Sequence, residues 1–367
     1  MAKIMVAMSG GVDSSLAATL LHEAGHEVIG VTMHLWNDDD ERLAESLCCS
    51  QEMTASARRV CNHLGLPYYV FNYQKEFRRH VIEYFLNEYT RGYTPNPCME
   101  CNREIKFRAL LSRVKALGFD YLATGHYARI QECVAGRSAS HDPEYALLRG
   151  VDHAKDQSYM LYMLQQDDLA RLTFPLGSYT KAQVRAMAAE RGLASADRPE
   201  SQDICFVPGG DYRNLLQEEA PESIRPGPIV DLEGREIGQH RGLPFYTIGQ
   251  RRGLGLAGGG QALFVTALDT ARNALVVGPA AATLQQTFEV EGLSFVSGVW
   301  PTTPLTCAVQ VRAHAEARPA EVVPLDQRRV RVAFQQAQRA ITPGQAAVFY
   351  EGERVIGGGR IARPRLE

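Results

Sequence analysis

Two groups of residues in this 367-residue chain could do chemistry by their types and spacing: a glycine- and serine-rich run near the amino terminus, and a set of cysteines. The run is Ser9-Gly10-Gly11-Val12-Asp13-Ser14-Ser15, between an apolar stretch and a helical pattern. Two glycines let the backbone approach an anion closely. The three serines can donate hydroxyl hydrogen bonds, and the free N–H groups at a helix start stabilise phosphate charge. A Gly-Gly turn that only joins a strand to a helix is the bland alternative, and the order strand, loop, helix argues against it. The run is not the lysine-containing loop of phosphate-transferring ATPases, because no G-x-x-x-x-G-K-S/T pattern is present.

The eight cysteines are Cys48, Cys49, Cys61, Cys98, Cys101, Cys133, Cys205 and Cys307. In a reducing compartment they are expected as thiols, metal ligands or catalysts rather than structural disulfides. Cys98 and Cys101 lie in Thr94-Pro95-Asn96-Pro97-Cys98-Met99-Glu100-Cys101-Asn102-Arg103, and Cys205 in Glu200-Ser201-Gln202-Asp203-Ile204-Cys205-Phe206. The prolines rigidify the approach to Cys101, whose thiol then falls at the beginning of a predicted helix, where the dipole favours thiolate. Thiolate is the form that attacks sulfur or binds metal. Three thiolates with one open position could hold a 4Fe–4S cluster with one iron free to carry sulfide. Zinc fits less well, since three cysteines supply no obvious fourth ligand. A C-x-x-C pair alone also suits a zinc knuckle or a thioredoxin-like redox site. Cys48-Cys49 follow an acidic loop, Asp38 to Glu41, and read as structural; Cys61, Cys133 and Cys307 read as small apolar residues.

The elements that must position these residues alternate in the first half of the chain. Strand patterns run over Lys3 to Met8, Glu27 to Trp36, Pro67 to Tyr73 and Tyr121 to Ile130. Helical spacing runs over Ser14 to Ala24, Ser50 to Leu64, Glu76 to Tyr89 and Arg103 to Leu117. This α/β rhythm predicts a parallel sheet covered on both faces, with Gly125-His126 at the carboxyl end of a strand, where open α/β sheets place ligands. No catalytic role is assigned to His126. The regime continues, mostly helical, to about Tyr212. Glycine- and proline-punctuated runs from Arg225 then predict a small β-rich module, and short strands such as Cys307 to Ala313, Arg329 to Phe334 and Ala346 to Tyr350 predict a compact β-barrel. The expected domains are 1–213, 214–282 and 283–367.

A net charge of -3 argues against a purely electrostatic nucleic-acid binder without excluding a local basic face. Only six of the 39 basic residues are lysines. Arginine favours bidentate phosphate contacts, although genomic base composition would give the same bias. No apolar run approaches the roughly 20 residues that cross a bilayer, and Met1-Ala2-Lys3-Ile4 leads into a strand pattern rather than a signal peptide. A cytoplasmic location and no membrane partner are expected.

The loop resembles the SGG-x-DS signature of the ATP pyrophosphatase (PP-loop) superfamily, which cleaves ATP between the α and β phosphates. The resemblance implies that Ser9, Gly10, Gly11, Val12, Asp13, Ser14 and Ser15 hold the phosphates. It also implies that Ala7, Met8, Val31 to Met33 and Gly125 border the adenosine and that Asp13 helps hold Mg2+. With the cysteine segments, the chain closely resembles the tRNA-specific 2-thiouridylase family, called MnmA in bacteria. The match continues through Thr124-Gly125-His126-Tyr127, Leu148-Arg149-Gly150, Lys155-Asp156-Gln157-Ser158-Tyr159, Gly249-Gln250-Arg251-Arg252-Gly253-Leu254-Gly255 and Thr342-Pro343-Gly344-Gln345. Many members read NPD-x-x-C in the first cysteine segment, with an aspartate thought to assist at the target base. Here that position is Cys98, so the aspartate's role is not carried over.

The resemblance implies an ATP-dependent attack of the wobble uridine C2 oxygen on the α phosphate, then sulfur transfer, giving 2-thiouridine, AMP and pyrophosphate. Two sulfur routes stay open. In one, Cys205 carries a persulfide and Cys101 resolves it as a Cys101–Cys205 disulfide. In the other, Cys98, Cys101 and Cys205 are iron–sulfur ligands, which accounts for Cys98. To reach C2 the base must leave the anticodon stack. Resemblance assigns Asn96-Pro97-Cys98 to the flipped base, Lys155-Asp156-Gln157 to nearby RNA, and Arg312-Ala313 to the anticodon region. Tyr246 and Arg251-Arg252 are candidates for gripping the stem. The implied partners are tRNAs with Lys, Glu and Gln type anticodons and a sulfur-donor protein or cysteine desulfurase relay. Other pyrophosphatase-type ligases, such as GMP or argininosuccinate synthetases, share the loop without needing the cysteines. A non-catalytic RNA-binding protein with a structural metal is the rival from another class.

Overall fold

A computed structural model of the chain describes residues 1–36, 51–133, 145–193, 195, 204–256 and 262–364. Asp38 to Glu41, Cys48-Cys49, Glu200 to Asp203 and Gly258 to Gly260 lie outside the described residues.

The first sheet has five parallel strands in the order Tyr68–Asn72, Glu27–His34, Lys3–Ala7, Tyr121–Ala123, Leu172–Thr173. Lys3–Ala7 is central, and Ile4, Met5 and Val6 are almost wholly buried, as a strand covered on both faces requires. The chain leaves this strand towards Glu27–His34 on one side and later returns to Tyr121–Ala123 on the other. Such a switch point opens a crevice at the carboxyl ends of the two strands. The helix Val12–Glu23 starts directly above it.

The second sheet has four strands in the order Phe264–Asp269, Ala274–Gly278, Gly227–Val230, Glu236–His240. The third contains a closed barrel of six antiparallel strands: Leu284–Phe295, Leu305–Gln310, Arg318–Pro324, Arg329–Arg339, Ala346–Glu351 and Arg354–Ile361. Pairing of the first strand with the last, Val290 opposite Ile361, closes it. Among the described residues no helix is long and apolar enough to cross a membrane.

One predicted element is corrected. The stretch Tyr121 to Ile130 is not a single strand: Tyr121–Ala123 ends in the parallel sheet, and Ala128–Glu132 begins a hairpin with Tyr145–Arg149. That hairpin joins the barrel sheet through Leu148 opposite Arg354. Thr124 to Tyr127 therefore form a corner between two sheets. Alternating β-rich residues on both sides of the corner hide it from a periodicity reading, because the break is imposed by tertiary contacts. The predicted helix from Arg103 also begins earlier. Asn96 is the N-cap and Pro97 the first helical residue, and winding continues through a π-helical stretch, Cys101–Leu110, to Ala116.

An aromatic cluster fastens the second cysteine segment to the catalytic sheet. Phe206 meets Phe77 and Phe85 edge-on at 5.8 and 5.3 Å, Trp36 meets Phe77 at 5.9 Å, and Tyr89 stacks on Tyr212 at 4.4 Å. Phe85 is fully buried at its centre. Phe85→Ala is expected to destabilise this unit by about 3–5 kcal/mol through cavity formation. Denaturant unfolding followed by Trp36 fluorescence in a Trp300→Phe background measures it, and a shift below about 1 kcal/mol would show that the cluster does not hold Phe206 in place.

Candidate active site at the phosphate loop and cysteine turn

The loop is built from the central strand outward. Its entry is pinned by Met8 N–H donating to Val31 O at 2.8 Å and by the Thr32 hydroxyl donating to Met8 O at 2.9 Å. Gly10 has φ +77°, and a Cβ there would run into the Met53 carbonyl. Both facts require glycine. The Ser15 hydroxyl donates to Gly11 O at 2.8 Å, and Ser14 Oγ accepts from Ser9 N–H at 3.1 Å. Gly125 closes the crevice from the neighbouring strand: a Cβ on it would lie 2.9 Å from the Asp13 carbonyl carbon and the Ser14 nitrogen. Ala7 is half-buried, while Met8 and Met33 are buried. Val12 is buried as the first residue of the helix.

Asp13 faces a lysine that the sequence reading did not single out. Lys181 Nζ lies 2.7 and 2.8 Å from the two Asp13 carboxylate oxygens, and the Tyr127 hydroxyl donates to Asp13 Oδ1 at 2.7 Å. Lys181 opens the helix Lys181–Glu190, whose N-cap Thr180 forms a reciprocal capping box with Gln183. The backbone N–H of Lys181 also donates to Asp152 Oδ2 at 2.9 Å. Thr180-x-x-Gln183 marked a helix start in the sequence, but nothing there tied it to a loop 168 residues away. The magnesium role expected of Asp13 suits a hard cation, and in this arrangement the carboxylate is held by protein donors. His126 lies beside the loop with Nδ1 2.6 Å from Thr124 Oγ1. Burial, with the charge of Lys106 adding to it, pushes its pKa well below the usual histidine value, so the imidazole is neutral.

Contacts run from Asp13 to the cysteine turn. Tyr127 N–H donates to Gln157 Oε1 at 2.9 Å, and Gln157 N–H donates back to Tyr127 O at 2.9 Å. Three residues on, Met160 receives Asn102 Nδ2 on its carbonyl at 3.1 Å and Asn96 Nδ2 on its sulfur at 3.6 Å. Asn96 thus stands two residues before Cys98 and is linked to the phosphate loop through Met160, Gln157 and Tyr127. Pro97 is buried, Cys98 exposed, and Cys101 half-buried. Because the helix begins at Pro97, it is Cys98 that occupies the first turn, and Cys101 starts the second. This corrects the placement of Cys101 at a helix beginning. Beside it, burial pushes the Glu100 carboxyl above its usual range despite the Arg103 guanidinium 2.8 Å away. Cys205 is half-buried and packs, like Cys101, against the core that contains Phe77, Phe85 and Phe206. Among the described residues no three His, Cys, Asp or Glu side chains are grouped so as to hold a metal ion.

The residues expected near RNA divide by their contacts. Asp156 is saturated: it accepts from Arg149 Nη1 at 2.6 Å, Gly150 N–H at 3.0 Å, and Ser158 N–H and Oγ at 3.0 and 2.9 Å. Its carboxylate orients the turn that presents Lys155 and Gln157. Arg312 donates from Nη2 to the carbonyls of Arg339 and Ala340, and Gln310 Nε2 donates to the carbonyls of Arg312 and Ala313. Arg312 lines a cavity of about 460 Å³ with Thr94, Thr247, Phe264 and Gln345, where the approach to the cysteine turn meets the second and third sheets. A second cavity of about 700 Å³ is lined by Asn96, Glu100 and Arg103 on one side and by Arg328, Arg329 and Arg360 of the barrel on the other. Tyr246 is buried, whereas Arg251 and Arg252 are exposed.

Three family models match in succession: a tRNA methyl transferase HUP domain over residues 2–209, a tRNA methyl transferase PRC-barrel domain over 213–279, and an aminomethyltransferase beta-barrel domain over 285–361. The tRNA-specific 2-thiouridylase MnmA of Roseiflexus castenholzii is 70% identical over 99% of this chain and 100% of its own. That of Chloroflexus aurantiacus is 65% identical over the whole of both chains. A solved U34-tRNA thiolase NcsA from Methanococcus maripaludis, with its 4Fe–4S cluster, covers 60% of this chain and 67% of its own at 16% identity and a TM-score of 0.33, too remote to speak to the sulfur chemistry. With near-identical length, end-to-end matches and a chain of hydrogen bonds joining the loop to the cysteine turn, the chain belongs to the MnmA family of tRNA-specific 2-thiouridylases.

Proposed function

We propose that the protein is an ATP-dependent tRNA 2-thiouridylase acting on the wobble uridine of tRNAs with Lys, Glu and Gln type anticodons. The observation that carries this reading is the contact path from Asp13 through Tyr127, Gln157 and Met160 to Asn96, which ties the phosphate loop to the cysteine turn. Magnesium–ATP is the substrate of the loop. Its phosphates lie on the Ser9 to Ser15 backbone and its adenosine beside Ala7, Met8, Met33 and Gly125.

The uridine C2 oxygen attacks the α phosphate, and pyrophosphate leaves with the bonding pair of the α–β bridge. The adenylated oxygen is then a good leaving group. The terminal sulfur of a Cys205 persulfide adds to C2, and AMP departs with the C2–O electrons. Cys101 thiolate next attacks Cys205 Sγ, forming a Cys101–Cys205 disulfide and leaving the electron pair on the sulfur now bound to C2. A dithiol reductant restores the two thiols, and a sulfur-donor protein fed by a cysteine desulfurase renews the persulfide. Cys101 and Cys205 are both half-buried thiols, which is the observation that supports this route. The route through a cluster held by Cys98, Cys101 and Cys205 is the alternative, and it is the one that accounts for Cys98. Lys155, Gln157 and Arg312 are the polar groups we assign to RNA, with Asp156 and Gln310 orienting them.

Cys101→Ser and Cys205→Ser are each expected to abolish 2-thiouridine formation while tRNA-dependent release of pyrophosphate continues. Mass spectrometry of digested tRNA and a pyrophosphate assay separate the two readouts. Thiolation surviving either substitution would refute the persulfide route. Iron and acid-labile sulfide in anaerobically purified active protein, lost together with activity in Cys98→Ser, would replace it with the cluster route. Gly125→Ala is expected to weaken ATP binding about tenfold or more, since its methyl displaces the Asp13–Ser14 backbone. Calorimetric titration with ATP checks it, and unchanged affinity would place the nucleotide away from this crevice.

A further inference from the structure

The chain enters the cysteine turn from the helix Glu83–Thr90, and between the two stands an aromatic ring on which three guanidiniums converge. We infer that Tyr93 is a positioning residue for sulfur transfer: the arginines that grip its ring set the direction in which Pro95-Asn96-Pro97 delivers the cysteines. The inference rests on the thiouridylase reading given above, holds for either sulfur route, and adds a residue outside the reacting groups.

The local sequence places the ring where it can be gripped. Gly92 ends the helix at φ +75°; its N–H donates to Tyr89 O at 2.9 Å, and the Tyr93 N–H reaches back to Glu88 O at 2.9 Å. This left-handed closure folds Tyr93 back beside the last turn of the helix. The guanidinium carbons of Arg360, Arg363 and Arg91 lie 4.9, 5.3 and 5.6 Å from the ring centroid, within the range of cation–π attraction. Two of the three come from the barrel: Arg360 is on its last strand, Arg354–Ile361, and Arg363 follows two residues beyond. Gly92 leaves room for this, because a Cβ there would run into the Arg363 guanidinium.

Three cations can crowd one ring only if anions offset them. Buried Glu88 accepts from Arg91 Nη1 at 3.1 Å and from Arg360 Nη1 at 2.5 Å, and Glu291 accepts from Arg360 Nη2 at 2.6 Å. Arg363 is fixed by neutral acceptors, Thr270 Oγ1 at 2.8 Å and Arg91 O at 2.6 Å. Thr270 follows the strand Phe264–Asp269, so the second sheet is tied in at the same place. The position so fixed is passed on along the chain. Thr94 is itself held by Pro343 O and Gln345 Nε2, which clamps two consecutive residues to the barrel. Pro95 and Pro97 then restrict the backbone on either side of Asn96, and Cys98 follows directly. With so few free torsions between ring and thiol, a shift of the ring is carried to the turn rather than absorbed.

Steady-state 2-thiouridine formation by the full-length wild type, Tyr93→Leu and Tyr93→Phe, with ATP and tRNA each varied, tests the assignment. Tyr93→Leu is expected to lower kcat about tenfold or more, as a displaced reacting group implies, and to leave KM for ATP and for tRNA within about twofold. Tyr93→Phe should keep kcat within about twofold of wild type, because the ring face and not the hydroxyl makes the contact. Wild-type kcat in Tyr93→Leu overturns the inference, and so does a loss confined to KM for tRNA, which marks an RNA contact. A Tyr93→Phe variant as slow as Tyr93→Leu also overturns it. If Tyr93→Leu does not fold, Arg363→Met takes one guanidinium from the ring and leaves the Glu88–Arg360–Glu291 bridge in place. It is expected to lower kcat about threefold with KM unchanged, and an unchanged kcat there overturns the inference. A wild type that forms no 2-thiouridine refutes the thiouridylase reading itself, and is told apart from failure of the Tyr93 assignment by that fact.

Discussion

A negative side chain inside a site built for anions is the constraint around which the catalytic end of this protein is arranged. Asp13 is the second residue of the helix, among its first free N–H groups, and two groups from distant parts of the chain compensate it: the Lys181 ammonium and the Tyr127 hydroxyl. Each brings its own scaffold. Lys181 requires the capped helix at Thr180. Tyr127 requires the corner at which the parallel sheet gives way to the hairpin of the barrel sheet. Gly125 is tied to the same requirement, since any side chain there would push the Asp13 backbone out of reach of both partners.

The cysteine turn is likewise positioned from outside its own segment. Thr94 N–H donates to Pro343 O at 2.9 Å, and Gln345 Nε2 donates to Thr94 O at 2.7 Å. Gly344, with φ +95°, lets the two backbones approach, because a Cβ there would lie 2.8 Å from Thr94 N. Arg360 of the barrel bridges Glu88 on the helix Glu83–Thr90 and Glu291 on the barrel's first strand, at 2.5 and 2.6 Å. Arg149 joins the same two bodies: its guanidinium lies 3.6 Å from the Tyr350 ring centroid while bonding Asp156 and Gln310. A barrel that merely trailed the catalytic domain would need none of these. Its grip on Thr94 fixes the approach to Cys98, and its contacts with Arg149 and Ser158, both donors to Asp156, brace the turn bearing Lys155 and Gln157.

Helix geometry separates the three thiols by exposure. Starting the helix at Pro97 moves Cys98 into the first turn and exposes it, while Cys101, at the start of the second turn, and Cys205 are half-buried.

By itself, the sequence determined the parts that depend on local chemistry. The glycines and serines of Ser9 to Ser15, the apolar run before them and the helical spacing after them read as a strand, a turn able to hold an anion and a helix, and the short strands in the last third of the chain favour a compact barrel. Those are near-neighbour constraints, readable from side-chain period and backbone preference. Tertiary structure alone decided that Tyr121 to Ile130 splits between two sheets, that Asp156 is occupied by protein donors, and that Lys181 reaches Asp13 across 168 residues. Partners so far apart leave no periodic trace, because what pairs them is the need of a sheltered charge or an open strand edge for whichever complement the completed fold brings close.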